Sequence, residues 1–372
     1  MTNDLGPRAG GIESFVLGLL GELDGSQIVI YTSAQSGDGQ FDLSLEKKFG
    51  VKVIRDKSRI LLPTPRVNRA IADVMKKHGS EIIWYGATAP LGWMAGHLKR
   101  QGARRQVGLT HGHEVWWSKV WPFSWVMKRI CRNLDVITFL GKFTHHAMEP
   151  ILGDKVHAVR IAPGIAIDHF TPGVPSEALL QSLGLREKKI IVSVGRLVHR
   201  KGQDRLIEAL PQIIQEVPDV ALLLVGEGPY KAHLEKLVTQ LNLHDYVYFV
   251  GRVQYRELPD YLRLGAIFAM PSRSRFFGLE VEGLGIVYLE ASSTGIPVLG
   301  GASGGAPDAV LDGVTGLVVD GDDVAAISAA AISLLLDPKR REQMAIAGRE
   351  WAMSNWSWTM WGERFNALLW RN

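Results

Sequence analysis

The sequence predicts an α/β protein built from two doubly wound domains, each a parallel sheet flanked by helices. Three observations carry this. A chain of 372 residues exceeds one ordinary core, and 46% hydrophobic residues can fill two. Short apolar runs alternate along it with stretches of helical periodicity, the pattern of a parallel sheet. Glycine-rich or charged loops follow those runs, at the strand ends where such sheets bind ligands.

The opening residues have the composition of a strand-to-helix loop rather than of a strand, so a strand is expected to be missing ahead of Met1. Helical apolar spacing at 12–23 puts Gly10 and Gly11 at a helix N-terminus, where bare backbone can admit a phosphate. A plain turn pair is the alternative. Strand-like runs at 27–32, 51–54, 81–85 and 105–109 then alternate with helical stretches at 65–77 and 89–99. The run ending at Leu109 leads into Thr110-His111-Gly112-His113-Glu114. Two histidines and one carboxylate are a possible zinc ligand set, but no further cluster supports them, so no metal is expected there. Runs at 136–140 and 156–162 finish the first domain. The dense Pro/Gly composition from 163 places the linkage at 163–185.

Residues 116–132 crowd Trp116, Trp117, Trp121 and Trp125 together with Lys128 and Arg129. A core helix confines its aromatics to one stripe, whereas tryptophan edged by Lys and Arg suits a lipid headgroup layer. Arg59, in a basic and apolar loop ahead of a prolyl helix start, is a second candidate for that surface.

The second domain opens with a β-rich run at 189–194 and a basic loop. Arg196, Arg200 and Lys201 are expected to converge near the N-terminus of a helix starting at Gln203, a combination suited to a diphosphate. Runs at 222–225, 247–250 and 266–270 repeat the strand-then-loop design. Within 276–307, Glu282 and Glu290 lie eight residues apart, with Gly283, Leu284 and Gly285 beside the first and an apolar helix start leading to the second. Eight residues is a little over two helical turns, so one ligand can reach both carboxylates. The run 300–305 reads as a flexible loop that folds over a ligand. Helical spacing from Asp322 continues to the tryptophan-rich end.

Composition narrows the function. A single cysteine, Cys131, excludes an internal disulfide framework and a thiolate zinc site, and fits a reducing compartment. No apolar run reaches the roughly 20 residues that span a bilayer. A net charge of +4 suits anionic lipid or nucleotide phosphate, and no familiar nucleic-acid module is visible.

The Glu282-x7-Glu290 spacing, the Gly-Arg-Leu with Lys-Gly pair around Arg196 and Lys201, and the Thr110–Glu114 turn together resemble the retaining glycosyltransferases of family 4, whose fold is GT-B. The likeness covers nearly the whole chain and is strongest at 279–307. Within the family, Gly278-Leu-Glu-Val-Glu-Gly-Leu-Gly and Leu61-Leu-Pro-Thr-Pro look most like GDP-mannose-dependent phosphatidylinositol mannosyltransferases. Phe276-Phe277 departs from them, since close relatives tend to carry glycines there.

The resemblance implies an acceptor domain at 1–165, a nucleotide-sugar domain at 166–355 and a C-terminal helix at 356–372 returning to the first. It implies Glu282 and His111 on the transferred sugar, with His113 as alternate, and Glu290 on the ribose. Arg196 and Lys201 would clamp the diphosphate, with Arg200 beside them; the Gly10-Gly11 loop would face it and Val253 would meet the base. It further implies mannosyl transfer to a lipid-linked acceptor without cofactor, at the inner face of the cell membrane. A family 4 transferase with another nucleotide sugar and a soluble or polysaccharide acceptor would share every donor motif, as would a non-catalytic nucleotide-sugar-binding protein.

Overall fold

The computed structural model describes residues 1–7, 10–112, 114–153 and 156–370. It divides into two units, one of residues 1–164 with 358–372 and the other of 165–357.

In the first unit six short parallel strands form two separate sheets. β1 (Val29–Thr32) pairs with β2 (Lys52–Arg55). β3 (Ile82–Tyr85), β4 (Arg105–Gly108), β5 (Val136–Phe139) and β6 (His157–Arg160) lie in that order in the second sheet. β1 and β3 flank a gap in which, among the described residues, Met1 and Thr2 hydrogen-bond to the two sides. The Met1 ammonium donates to the Trp84 carbonyl at 2.5 Å, and the Thr2 amide to the Tyr31 carbonyl at 3.1 Å. A cavity of about 460 Å³ continues the gap between Ile30 and Ile83. Unpaired strand edges are costly when they are kept from water, and Met1 and Thr2 meet part of that need here.

The Gly11–Leu20 helix follows, with Gly10 at its cap and Glu13 accepting the Gly10 amide at 3.1 Å. Phe15 on this helix meets Trp358, and Trp84 meets Phe365, ring centroids 6.3 and 4.8 Å apart. The Trp358–Trp370 helix is thereby an integral part of the first unit.

The second unit is one six-stranded parallel sheet: β7 (Lys189–Val194), β8 (Val220–Val225), β9 (Val247–Gly251), β10 (Ile267–Met270), β11 (Val298–Gly301) and β12 (Gly316–Val319), in the order β12-β11-β10-β7-β8-β9. All six residues of β8 are buried, as expected for a central strand covered on both faces. Leu206, Leu210 and Ile213 of the Gln203–Glu216 helix close one face over Ile191 and Leu222. Chain order reverses between β7 and β10. That is the topological switch point, and it opens a crevice at the carboxyl ends of these two strands.

Two expectations need correction. The run 300–305 is not a free loop: Gly300 and Gly301 are in β11, and the Gly305 amide donates to the Glu282 carbonyl at 2.8 Å. Gly304 has φ +54°, and a Cβ there would lie 2.3 Å from the Glu282 carbonyl oxygen, so the two loops are stacked backbone on backbone. Residues 116–132 are likewise not one outward-facing segment but two helices, Glu114–Lys119 and Phe123–Cys131. Trp116, Trp117 and Phe123 pack on one another, and Met127 and Ile130 are buried. Trp121 and Trp125 are the two tryptophans of the segment left outward, 81% and 55% exposed. Apolar burial took one face of the second helix and left the other.

Candidate active site

The loops after β7 and β10 build the site of the second unit. After β7 the chain passes Arg196 and makes a short 3₁₀ turn, His199–Lys201, before Gly202 caps the Gln203–Glu216 helix. Gly202 has φ +74°, and a Cβ there would lie 2.0 Å from the Pro271 carbonyl oxygen. Any other residue would push apart the two loops, and their contact sets where Arg200 and Lys201 point.

Both cations point at Glu282. Lys201 Nζ lies 2.7 Å and Arg200 Nη1 2.6 Å from the same oxygen, Glu282 Oε2. Glu282 is only 7% exposed. Burial alone would raise its pKa, but Lys201 and then Arg200 outweigh that and hold the carboxyl below its ordinary value. The Ser303 hydroxyl accepts the Glu282 amide at 3.2 Å, tying the carboxylate loop to the stacked glycine loop. Glu280, beside Arg200 at 3.8 Å and Arg275 at 3.2 Å, extends the cluster outward.

Glu290 sits in the Ile286–Ser293 helix behind Gly285 and is equally buried. Burial pushes its carboxyl up to about 7, only partly offset by Lys201. Two carboxylates eight residues apart thus have opposite environments. Glu282 is held ionised by contact with two cations, and Glu290 is poised to titrate near neutrality.

Arg196 is exposed, and its side chain makes no ion pair among the described residues. Its carbonyl accepts Gln203 Nε2 at 3.4 Å, at the foot of the same helix. Val253 is half-buried in the loop after β9, which is the far strand of the sheet. Of the three cations expected to converge, Arg200 and Lys201 do so on one carboxylate.

A buried support lies under this turn and escaped sequence reasoning. The Arg273 amide donates to the Arg200 carbonyl at 2.9 Å. Its guanidinium, 3% exposed as a residue, donates to Asp204 Oδ2 at 2.6 Å and to His199 Nε2 at 2.7 Å. The Tyr230 hydroxyl donates to the same Asp204 oxygen at 3.1 Å. Burial first, then the adjacent guanidinium, depress the His199 pKa and keep the ring a neutral acceptor. The only signal in the sequence was the charged Ser272-Arg273-Ser274-Arg275 run directly after β10.

In the first unit, Gly10 and Gly11 are exposed with open space about both Cβ positions, although Glu13 already occupies the Gly10 amide. His111, half-buried after β4, is fixed by its Nε2 donating to the Gly86 carbonyl at 2.5 Å and by an edge contact with Phe15. Glu114 Oε2 accepts the His111 amide at 2.9 Å. His113 lies outside the described residues. Arg59, Lys128 and Arg129 are exposed.

The "Glycosyl transferases group 1" family model matches residues 176–351. A GDP-mannose-dependent alpha-(1-6)-phosphatidylinositol monomannoside mannosyltransferase of Mycolicibacterium smegmatis is 41% identical over 371 residues, 99% of this chain and 97% of that one. A GDP-mannose-dependent enzyme of Corynebacterium glutamicum, named for a monoacylated phosphatidylinositol monomannoside, is 39% identical over 372 residues, 99% of this chain and 96% of its own. Sucrose-phosphate synthase from Thermosynechococcus elongatus superposes with TM-score 0.76 at 23% identity, over 97% of this chain and 93% of its own. HepE from Anabaena with UDP superposes with TM-score 0.81 at 17% identity, over 99% of this chain and 98% of its own. The fold is GT-B, the α/β class the sequence predicts, and the protein is a hexosyltransferase. The chain belongs to the group 1 glycosyltransferases, in the branch of the phosphatidylinositol monomannoside mannosyltransferases.

Proposed function

We propose that the protein transfers mannose from GDP-mannose, with retention at the anomeric carbon, to a hydroxyl of a mannosylated phosphatidylinositol at a membrane surface. The observation that carries this reading is the 41% identity over 371 residues, which spans both units. By contrast, a D-inositol 3-phosphate glycosyltransferase of Xylanimonas cellulosilytica, named for a water-soluble acceptor, is 36% identical over 212 residues, 55% of this chain and 48% of its own.

As the bond between the sugar and the diphosphate breaks, negative charge gathers on the leaving phosphate. Arg200, Lys201, Arg196 and the amides at the Gln203 helix start stabilise it electrostatically. The acceptor hydroxyl attacks on the same face and its proton passes to the leaving phosphate, so the reading needs no protein nucleophile, metal or cofactor. Glu282 and His111 take the hexose and Glu290 the ribose, as the family resemblance implies. The exposed Trp121 and Trp125, beside the exposed Lys128 and Arg129, support a peripheral position on the inner membrane face. The test is a panel of nucleotide sugars against monomannosylated phosphatidylinositol and soluble sugar acceptors, with the product anomer read by NMR. A new α-linkage formed from GDP-mannose on the lipid is expected. Turnover confined to a soluble acceptor, or to another donor, overturns the reading.

A further inference from the structure

The loops that follow β7, β8 and β10 are bound to one another beneath the two site cations. The Leu197 amide donates to the Glu227 carbonyl at 3.0 Å and the Tyr230 amide to the Leu197 carbonyl at 3.1 Å, which joins the first two loops. Arg273, from the third, reaches under the turn. Its amide holds the Arg200 carbonyl at 2.9 Å. Its guanidinium bridges His199 Nε2 at 2.7 Å and Asp204 Oδ2 at 2.6 Å, two residues that bracket Lys201 in the chain. Tyr230 closes the circle, its hydroxyl on Asp204 and its ring 5.6 Å from that of His199.

Stability is a weak reason for such a network. A buried ion pair replaced by apolar groups of like size often costs nothing, because the charges forfeit their hydration. What a planar guanidinium with two partners does fix is direction. Here it fixes both ends of the segment that carries Lys201, while the Arg273 amide fixes Arg200.

We propose that Arg273, His199 and Asp204 are positioning residues of the donor site, acting through Arg200 and Lys201 by holding their turn where both cations meet the donor diphosphate. The inference rests on the proposed function for that ligand. Charge on the leaving phosphate grows as the sugar departs, so a displaced cation costs more in the transition state than in the bound donor.

His199 makes the arrangement sensitive to acid. Burial, then Arg273, hold its pKa below the ordinary 6.5. A proton taken up on Nε2 replaces the acceptor with a donor and sets two cations against each other. Arg273 and Arg275 after β10, Asp204 in the Gln203–Glu216 helix, Asp322 after β12 and Tyr230 after β8 face the ring, and the two carboxylates oppose that repulsion only in part.

The test uses Arg273→Lys, which keeps a charge for Asp204 but cannot bridge two partners in one plane, and His199→Gln, which keeps an acceptor and does not titrate. The whole protein is assayed for GDP-mannose turnover on monomannosylated phosphatidylinositol, and for GDP binding by calorimetry, whose stoichiometry counts the folded sites. In Arg273→Lys, kcat per site is expected to fall about tenfold or more and GDP, which carries the fully developed charge, to bind more weakly by a like factor, while KM for GDP-mannose moves less. His199→Gln is expected to match the parent on the alkaline side and to exceed its kcat about threefold or more toward the acid end of the profile. A lowered melting temperature with parent kcat and GDP affinity per site makes the network merely structural and overturns the proposal. Profiles of the same shape in His199→Gln and the parent remove His199 from it. A parent that binds GDP but transfers no mannose sinks the proposed function and leaves the GDP affinities to decide the positioning role. A parent that binds no GDP removes the donor site, and both readings with it.

Discussion

Lys201 Nζ and Arg200 Nη1 converge on a single oxygen of Glu282, at 2.7 and 2.6 Å. The cations proposed to meet a departing diphosphate are therefore held in place by the carboxylate proposed to meet the sugar. Replacing Lys201 by Ala removes a preorganised charge and leaves Glu282 buried with one partner. We expect kcat/KM to fall by about 2–4 kcal/mol of transition-state stabilisation. Activity within about threefold of the parent would remove Lys201 from the donor site.

Glu290 gives the protein a pH dependence of defined sign. Burial pushes its carboxyl from the ordinary 4.5 to about 7, so between these values the folded chain holds a proton that the unfolded chain has lost. Its contribution to stability is full below the unfolded value and is lost as pH rises through about 7, amounting to about 3 kcal/mol. Denaturant unfolding across this range should show Glu290→Gln with a flatter profile and greater stability on the alkaline side. Profiles of equal slope would show that the carboxyl ionises normally.

Arg273 and Asp204 form a buried pair beneath the His199–Lys201 turn. Arg273→Met leaves Asp204 buried and charged with Tyr230 as its main remaining hydrogen-bond donor. Breaking such a pair costs about 3–5 kcal/mol. Chemical denaturation of the variant tests this, and a loss below about 1 kcal/mol would mean that the pair is solvated in solution.

Phe276 and Phe277 adopt φ +50° and +55°, a region where a side chain crowds the backbone, and Phe277 is fully exposed. Phe277→Gly relieves that crowding, while the freer unfolded chain opposes part of the gain. A net stabilisation of up to about 1 kcal/mol is expected by denaturant unfolding. A clear loss of stability would mean that the ring makes contacts worth more than the strain.

The outward face of the Phe123–Cys131 helix and its preceding turn carry the membrane reading. Replacing Trp121, Trp125, Lys128 and Arg129 with Ser or Gln should weaken sedimentation with anionic vesicles, the two charges alone contributing about 2 kcal/mol at low salt. High salt should narrow the gap between variant and parent. Unchanged sedimentation would reduce these residues to surface decoration.

The sequence by itself determined what depends on near neighbours: the strand and helix alternation, the glycines at loop turns and the eight-residue spacing of Glu282 and Glu290. Periodicity and backbone freedom are local properties and can be read locally. The strand β12, Gly316–Val319, went unread. Only the tertiary structure decided which charges meet. Arg200 and Glu282 are 82 residues apart and Arg273 and Asp204 are 69, joined because β7 and β10 are neighbours in the sheet. It also decided that Trp121 and Trp125 face outward while Trp116 and Trp117 pack inward, and that the 300–305 glycines stack on the Glu282 loop. Burial and ion pairing are settled by groups distant along the chain, and no local pattern encodes them.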